Sequence, residues 1–160
     1  MSALQLEPLT AAAFAPFGDV LEIAGEPDKI INQGLCGRYH DRAQLDFSDG
    51  KAGISLFNAQ ARSLPFTLDM MERHPDGSQA FIPMTHTAFV VIVAPDDDGK
   101  PGQPRAFLTN PGQAVNYHRA TWHGVLTPIS ATGLFAVVDR IGAGANLQEH
   151  WFDTPYEITK

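Results

Sequence analysis

Residues 87–94 read Thr-Ala-Phe-Val-Val-Ile-Val-Ala, TAFVVIVA. An apolar run of this length, with no alternation, is the pattern of a strand covered on both faces. Downstream lies Pro95 to Pro104, PDDDGKPGQP, which reads as a solvated loop, followed by further strand patterns at Arg105–Thr109, Ala114–His118 and Gly133–Ile141. Upstream, Gly18–Ile23, Gly53–Asn58 and Phe66–Glu72 are short and mostly alternate. The 14 glycines and 12 prolines are spread throughout and leave no room for long helices. One short helix is expected at Thr10–Phe14, with Thr10 as its N-cap and Pro16 and Gly18 ending it. Many short strands separated by turns define an all-β sandwich or barrel. The 160 residues fit a single domain, 1–160, large enough to bury a core without disulfides.

Charge and composition narrow the function. The formal net charge is −7, so no nucleic-acid partner is expected. No stretch approaches the roughly 20 apolar residues of a membrane span, so no membrane partner is expected either. The N-terminal MSALQLEPLTAAAFAPFG lacks the basic and long apolar regions of a signal peptide, and a cytoplasmic protein is expected. The single cysteine, Cys36, is read as a buried, inert thiol.

Two segments carry chemistry. The first is Phe66 to Met84, FTLDMMERHPDGSQAFIPM. Strict alternation places Phe66, Leu68 and Met70 on one face with Glu72 and His74, and that face should look into the core. Pro75-Asp76-Gly77 then reverses the chain, and Gln79 starts the next strand. An inward carboxylate and imidazole need partners. They either hydrogen-bond each other or bind a cation. The second segment is Gly112 to Pro128, GQAVNYHRATWHGVLTP. Val115 and Tyr117 share one face of its strand, Asn116 and His118 the other, and a turn leads to His123. Asp139 shares parity with Phe135 and Val137, which allows an inward carboxylate.

This arrangement resembles the cupins, double-stranded β-helix (jelly-roll) barrels in which two histidine-bearing motifs hold a metal. On that resemblance Glu72, His74, Gln79 and His123 fall at the metal-ligand positions, and Ala120 falls at a turn position where glycine is usual. The longer strings RYHD at Arg38–Asp41, ERHPDGSQAFIPM at Glu72–Met84 and NYHRATWH at Asn116–His123 are similar to the ureidoglycolate lyase family, also called ureidoglycolate hydrolases. The likeness runs from the opening LQLEPLTAAAFAPFGDVLE to DRIG at Asp139–Gly142. It implies a homodimer that splits ureidoglycolate into glyoxylate and urea in allantoin catabolism, stimulated by a divalent metal, usually nickel.

Under that reading His118, His123 and Glu72 are the catalytic candidates, with either histidine as base. Arg73, Asn116, His40, Arg38 and Arg140 are candidates for holding the substrate, although Arg73 and Arg119 have the opposite parity to Glu72 and His118. Two rival functions stand beside the lyase. One is an amidohydrolase releasing ammonia and carbon dioxide. The other is a non-catalytic cupin that binds a small carboxylate.

Overall fold

The computed structural model describes all 160 residues. It contains sixteen strands and one α-helix. In chain order the strands are β1 (Ser2–Pro8), β2 (Gly18–Leu21), β3 (Lys29–Ile31), β4 (Cys36–Arg38), β5 (Lys51–Ala59), β6 (Phe66–Arg73), β7 (Gln79–Pro83) and β8 (Phe89–Ala94). They continue with β9 (Asp96–Asp97), β10 (Lys100–Pro101), β11 (Arg105–Leu108), β12 (Ala114–Tyr117), β13 (Trp122–His123), β14 (Thr127–Pro128), β15 (Gly133–Ile141) and β16 (Gln148–Thr159). The helix α1 spans Ala11–Phe14, and the Thr10 hydroxyl caps it by accepting from the Ala13 N–H at 3.2 Å. No helix is long and apolar enough to cross a membrane.

Two sheets build the molecule. One has seven strands in the order β11-β1-β16-β6-β13-β8-β14, and a further β11–β8 pairing closes it on itself. Its pairings are mixed, because β1 runs parallel to both β11 and β16. The other has five strands in the order β2-β12-β7-β15-β5, all antiparallel. This is an all-β, cupin-type barrel with one short helix.

Strand β8 explains how the sheets combine. All six of its residues are buried. Phe89, Val91 and Val93 enter one apolar cluster together with Phe81, Val115, Tyr117, Phe135 and Val137 of the five-stranded sheet. Val90, Ile92 and Ala94 enter a second cluster with Leu68, Met71, Trp122 and Ile158, inside the closed sheet. The residues of β8 alternate between two cores, so no position along it tolerates a polar residue.

Three expectations need correction. The alternation assumed along β6 fails, because Leu68 and Met71 occupy the same cluster although they are three residues apart. Over the same stretch the register of β6 against β16 shifts, from Leu68–Tyr156 to Met70–Trp151, with the extra residues in β16. Glu72 therefore faces away from the Leu68 cluster, on the side opposite Met71. The loop at 95–104 contains the small β9–β10 hairpin. Cys36 lies in the β3–β4 hairpin and is partly exposed rather than buried.

Candidate active site

The site lies at one end of the first core. His123 in β13 pairs with Glu72 in β6 on one side and with Val93 in β8 on the other. Trp122 belongs to the second core, so alternation turns His123 toward the first. There its ring stacks on Tyr117, 4.4 Å between centroids and 4° from parallel. His74 follows the end of β6, its ring centroid 5.2 Å from that of His123. The potential ligand atoms of Glu72, His74 and His123 all lie within 4.8 Å of one another.

The turn between the two motifs is tied to the site. The Ala120 N–H donates to the His74 carbonyl at 3.0 Å. Ala120 has φ of 64°, in the left-handed region that disfavours a side chain, at the position where cupins usually carry glycine.

The hydrogen bonds fix which way the rings present their nitrogens. His74 Nδ1 lies 2.8 Å from the Asn146 carbonyl, and His123 Nδ1 lies 3.0 Å from the Gly124 carbonyl. A carbonyl only accepts, so each Nδ1 carries a proton, and in the neutral ring the lone pair falls on Nε2. Both Nε2 atoms are buried without any hydrogen-bond partner. Gln79 supplies a third such atom: its Oε1 is buried and unpartnered, while its Nε2 donates to Asp139 Oδ2 at 3.2 Å. Buried polar atoms are nearly always satisfied. Three of the chain's four unsatisfied buried side-chain atoms are electron-pair donors on His74, Gln79 and His123, the fourth being Asn116 Oδ1, and with the half-buried Glu72 carboxylate the three suit a cation. The set fits a divalent metal with mixed nitrogen and oxygen ligands.

Burial sets the electrostatics. His123 is pushed down to about 3, mainly by burial and further by the neighbouring His74, and it stays neutral at physiological pH. The Glu72 carboxyl is raised, first by burial and also by the Glu149 charge, with His74 opposing both. The Tyr117 phenol is held protonated by burial, with the Glu72 charge adding to that effect.

The other sequence candidates lie elsewhere. Asn116 and His118 take the parity of β12 opposite Tyr117, where both engage Asp19: the fully buried Asn116 donates from Nδ2 to Asp19 Oδ2 at 3.0 Å and to the Gln44 carbonyl at 3.1 Å, and His118 Nε2 lies 3.3 Å from Asp19 Oδ1. Arg73 donates to Asp96 and Gln148, each at 2.7 Å, and its guanidinium sits over Trp122. Arg119 pairs with Asp46. Arg140 is buried against Asp49 and the Ala143 carbonyl. Arg38 and His40 belong to the β3–β4 arm, where the His40 backbone N–H donates to Asp28. The structure thus gathers Glu72, His74 and His123, sets Gln79 in register with Tyr117 beside them, and brings none of these arginines into the cluster. Tyr117 is a site residue that the motif reading passed over. Its shared face with Val115 was the signal.

A closed β-barrel with two imidazoles and a carboxylate converging at one end of its core has the fold of a cupin. The family model described as "Ureidoglycolate lyase" matches residues 1–159, and the chain belongs to that family. It is 62% identical over 156 residues to the ureidoglycolate lyase of Rhodobacter capsulatus, covering 97% of each chain. It is 53% identical over 154 residues to the ureidoglycolate lyase of Chelativorans sp., covering 95% of this chain and 93% of the relative. To ureidoglycolate lyase 2 of Rhizobium meliloti it is 49% identical over 160 residues, with 99% and 98% covered.

Proposed function

We propose that this protein eliminates urea from ureidoglycolate to give glyoxylate, as a cytoplasmic homodimer. The observation that carries the reading is the convergence of Glu72, His74 and His123 in a chain of this family, with the Nε2 atoms of both histidines, like Gln79 Oε1, buried and unpartnered. In the reaction the substrate hydroxyl loses its proton, the carbon–oxygen double bond forms, and the carbon–nitrogen bond to the ureido group breaks. The departing nitrogen takes up a proton. No covalent enzyme intermediate is needed.

The chain's own groups divide this work. Glu72 moves the proton: a carboxylate raised by burial takes it from the hydroxyl more readily than an exposed one and returns it to the ureido nitrogen. His123 stays neutral, so it serves as an electron-pair donor rather than as an acid. Tyr117, held as a phenol, offers a hydrogen bond next to His123 and walls the site from water. A divalent metal, nickel on the family resemblance, would be held by His74, His123, Gln79 and one oxygen of Glu72, and would lower the pKa of the substrate hydroxyl. The second oxygen of Glu72 is then left for proton transfer.

The homodimer reading rests on the family and on one exposed face. Ile54 and Leu56 of β5 are 75% and 65% exposed, and they sit in register with Val138 and Ala136 of β15. Ile82 of β7 continues this apolar face from the other side of β15. A second copy of the same face, placed across a two-fold axis, would cover it.

Product analysis tests the activity. Purified protein given ureidoglycolate should release urea and glyoxylate in equal amounts with no ammonia. Ammonia in place of urea would make it an amidohydrolase, and no turnover with nickel, manganese or zinc would leave a binding protein.

A further inference from the structure

A side-chain amide has two chemically opposite ends of nearly the same shape. One accepts hydrogen bonds or binds cations, and the other only donates. Gln79 is 6% exposed and pairs in register with Tyr117, whose ring stacks on His123, so its side chain shares the inward face beside the Glu72, His74 and His123 cluster. Its orientation is set by its one hydrogen-bond partner, Asp139, whose Oδ2 accepts from Nε2 at 3.2 Å. Asp139 lies on β15 one step beyond the Val138–Ala80 register pair, and so opposite Gln79. It shares the inward parity of Phe135 and Val137, both in the first core. A carboxylate only accepts, so it engages the NH2 end alone and leaves Oε1 buried without a partner.

We propose that Asp139 is a positioning residue, which locks the Gln79 amide so that its carbonyl oxygen faces the metal centre formed with Glu72, His74 and His123. The role is the counterpart of the carbonyls of Asn146 and Gly124, which fix the two imidazoles in the same way. It rests on the metal reading above. Without Asp139 the amide can turn its NH2 toward the centre, and one oxygen ligand is lost. Outer-shell partners of this kind typically change metal affinity 10–100-fold.

The test is a double-mutant cycle on the full chain, stripped of metal and titrated with nickel alone by calorimetry. Asp139→Asn is nearly isosteric, and its amide can either accept from Gln79 Nε2 or donate to Gln79 Oε1, so it no longer selects one orientation. We expect D139N to weaken nickel binding by about 10–100-fold in the wild-type background and by less than about twofold in a Gln79→Ala background. Melting curves without nickel check that each variant is folded. Equal losses in both backgrounds would mean that Asp139 acts by its charge alone, and would overturn the proposal. Unchanged affinity in D139N would overturn it as well. Failure of the wild-type chain to take up nickel, manganese or zinc would instead remove the metal reading on which it stands.

Discussion

Acidifying the metal-free protein should expose the energetic cost of burying His123. Burial and His74 hold this imidazole near pKa 3, against an ordinary value of 6.5. Between those two values the unfolded chain binds a proton that the folded chain refuses. The unfolded state then holds more protons, so stability falls as the pH drops through 6.5 and this contribution stops falling near 3. Each pH unit across the window is worth about 1.4 kcal/mol, which sets an upper limit of about 5 kcal/mol. Going from pH 7.5 to pH 5 samples about 2 kcal/mol of it. For a domain of this size that corresponds to a fall in Tm of about 4–8 °C. His123→Gln has no such proton to refuse, while every other titrating group is retained. Calorimetric melts of both proteins at pH 7.5 and pH 5 isolate the term, each protein being compared with itself. The wild type should lose about 2 kcal/mol more than the variant. Parallel losses would refute the argument and show that His123 is hydrated or able to move in the folded state.

Nickel at 100 times its Kd should stabilise the stripped protein by about 2.7 kcal/mol, read as a rise in Tm, and His74→Ala should abolish that rise. Glu72→Gln should lower kcat by about 10²–10⁴-fold, with urea release as the assay, while the protein still folds. Arg73→Ala should leave KM unchanged and cost about 1 kcal/mol of stability, because the guanidinium spans Asp96, Gln148 and Trp122 rather than the site. Leu56→Lys should convert a homodimer to a monomer in light scattering, because it places a charge on the apolar face of the five-stranded sheet.

What the sequence disclosed depended on how local the signal was. TAFVVIVA is a run of neighbours, and its meaning as a doubly covered strand survives in β8. The meeting of Glu72, His74 and His123 was legible because they sit in two motifs of fixed spacing. The face that Glu72 takes was reached by a faulty step, since strict alternation put it with Leu68. The break in alternation coincides with an irregular register against β16, whose residues lie more than 80 positions away in sequence. Strands β1 and β16 gave little signal for a related reason. They pair in parallel with each other, and β16, with Pro155 and four charged or histidine side chains, carries no apolar alternation. The arginines were attractive as carboxylate binders on chemistry alone. Their acidic partners Asp96, Asp46 and Asp49 come from loops whose positions no motif predicts.

Strand β8 works as a party wall. Ile92 belongs to one chamber and Val93 to the other, yet the two are adjacent in one stiff chain, and Val93 is the register neighbour of His123. A misfit in the far chamber, such as a methyl group too many beside Ile92, cannot be absorbed there without moving the wall. The displacement reaches the histidine in two residues. The chamber that holds no chemistry therefore sets the position of the one that does, and damage to the enzyme need not begin near its reacting atoms.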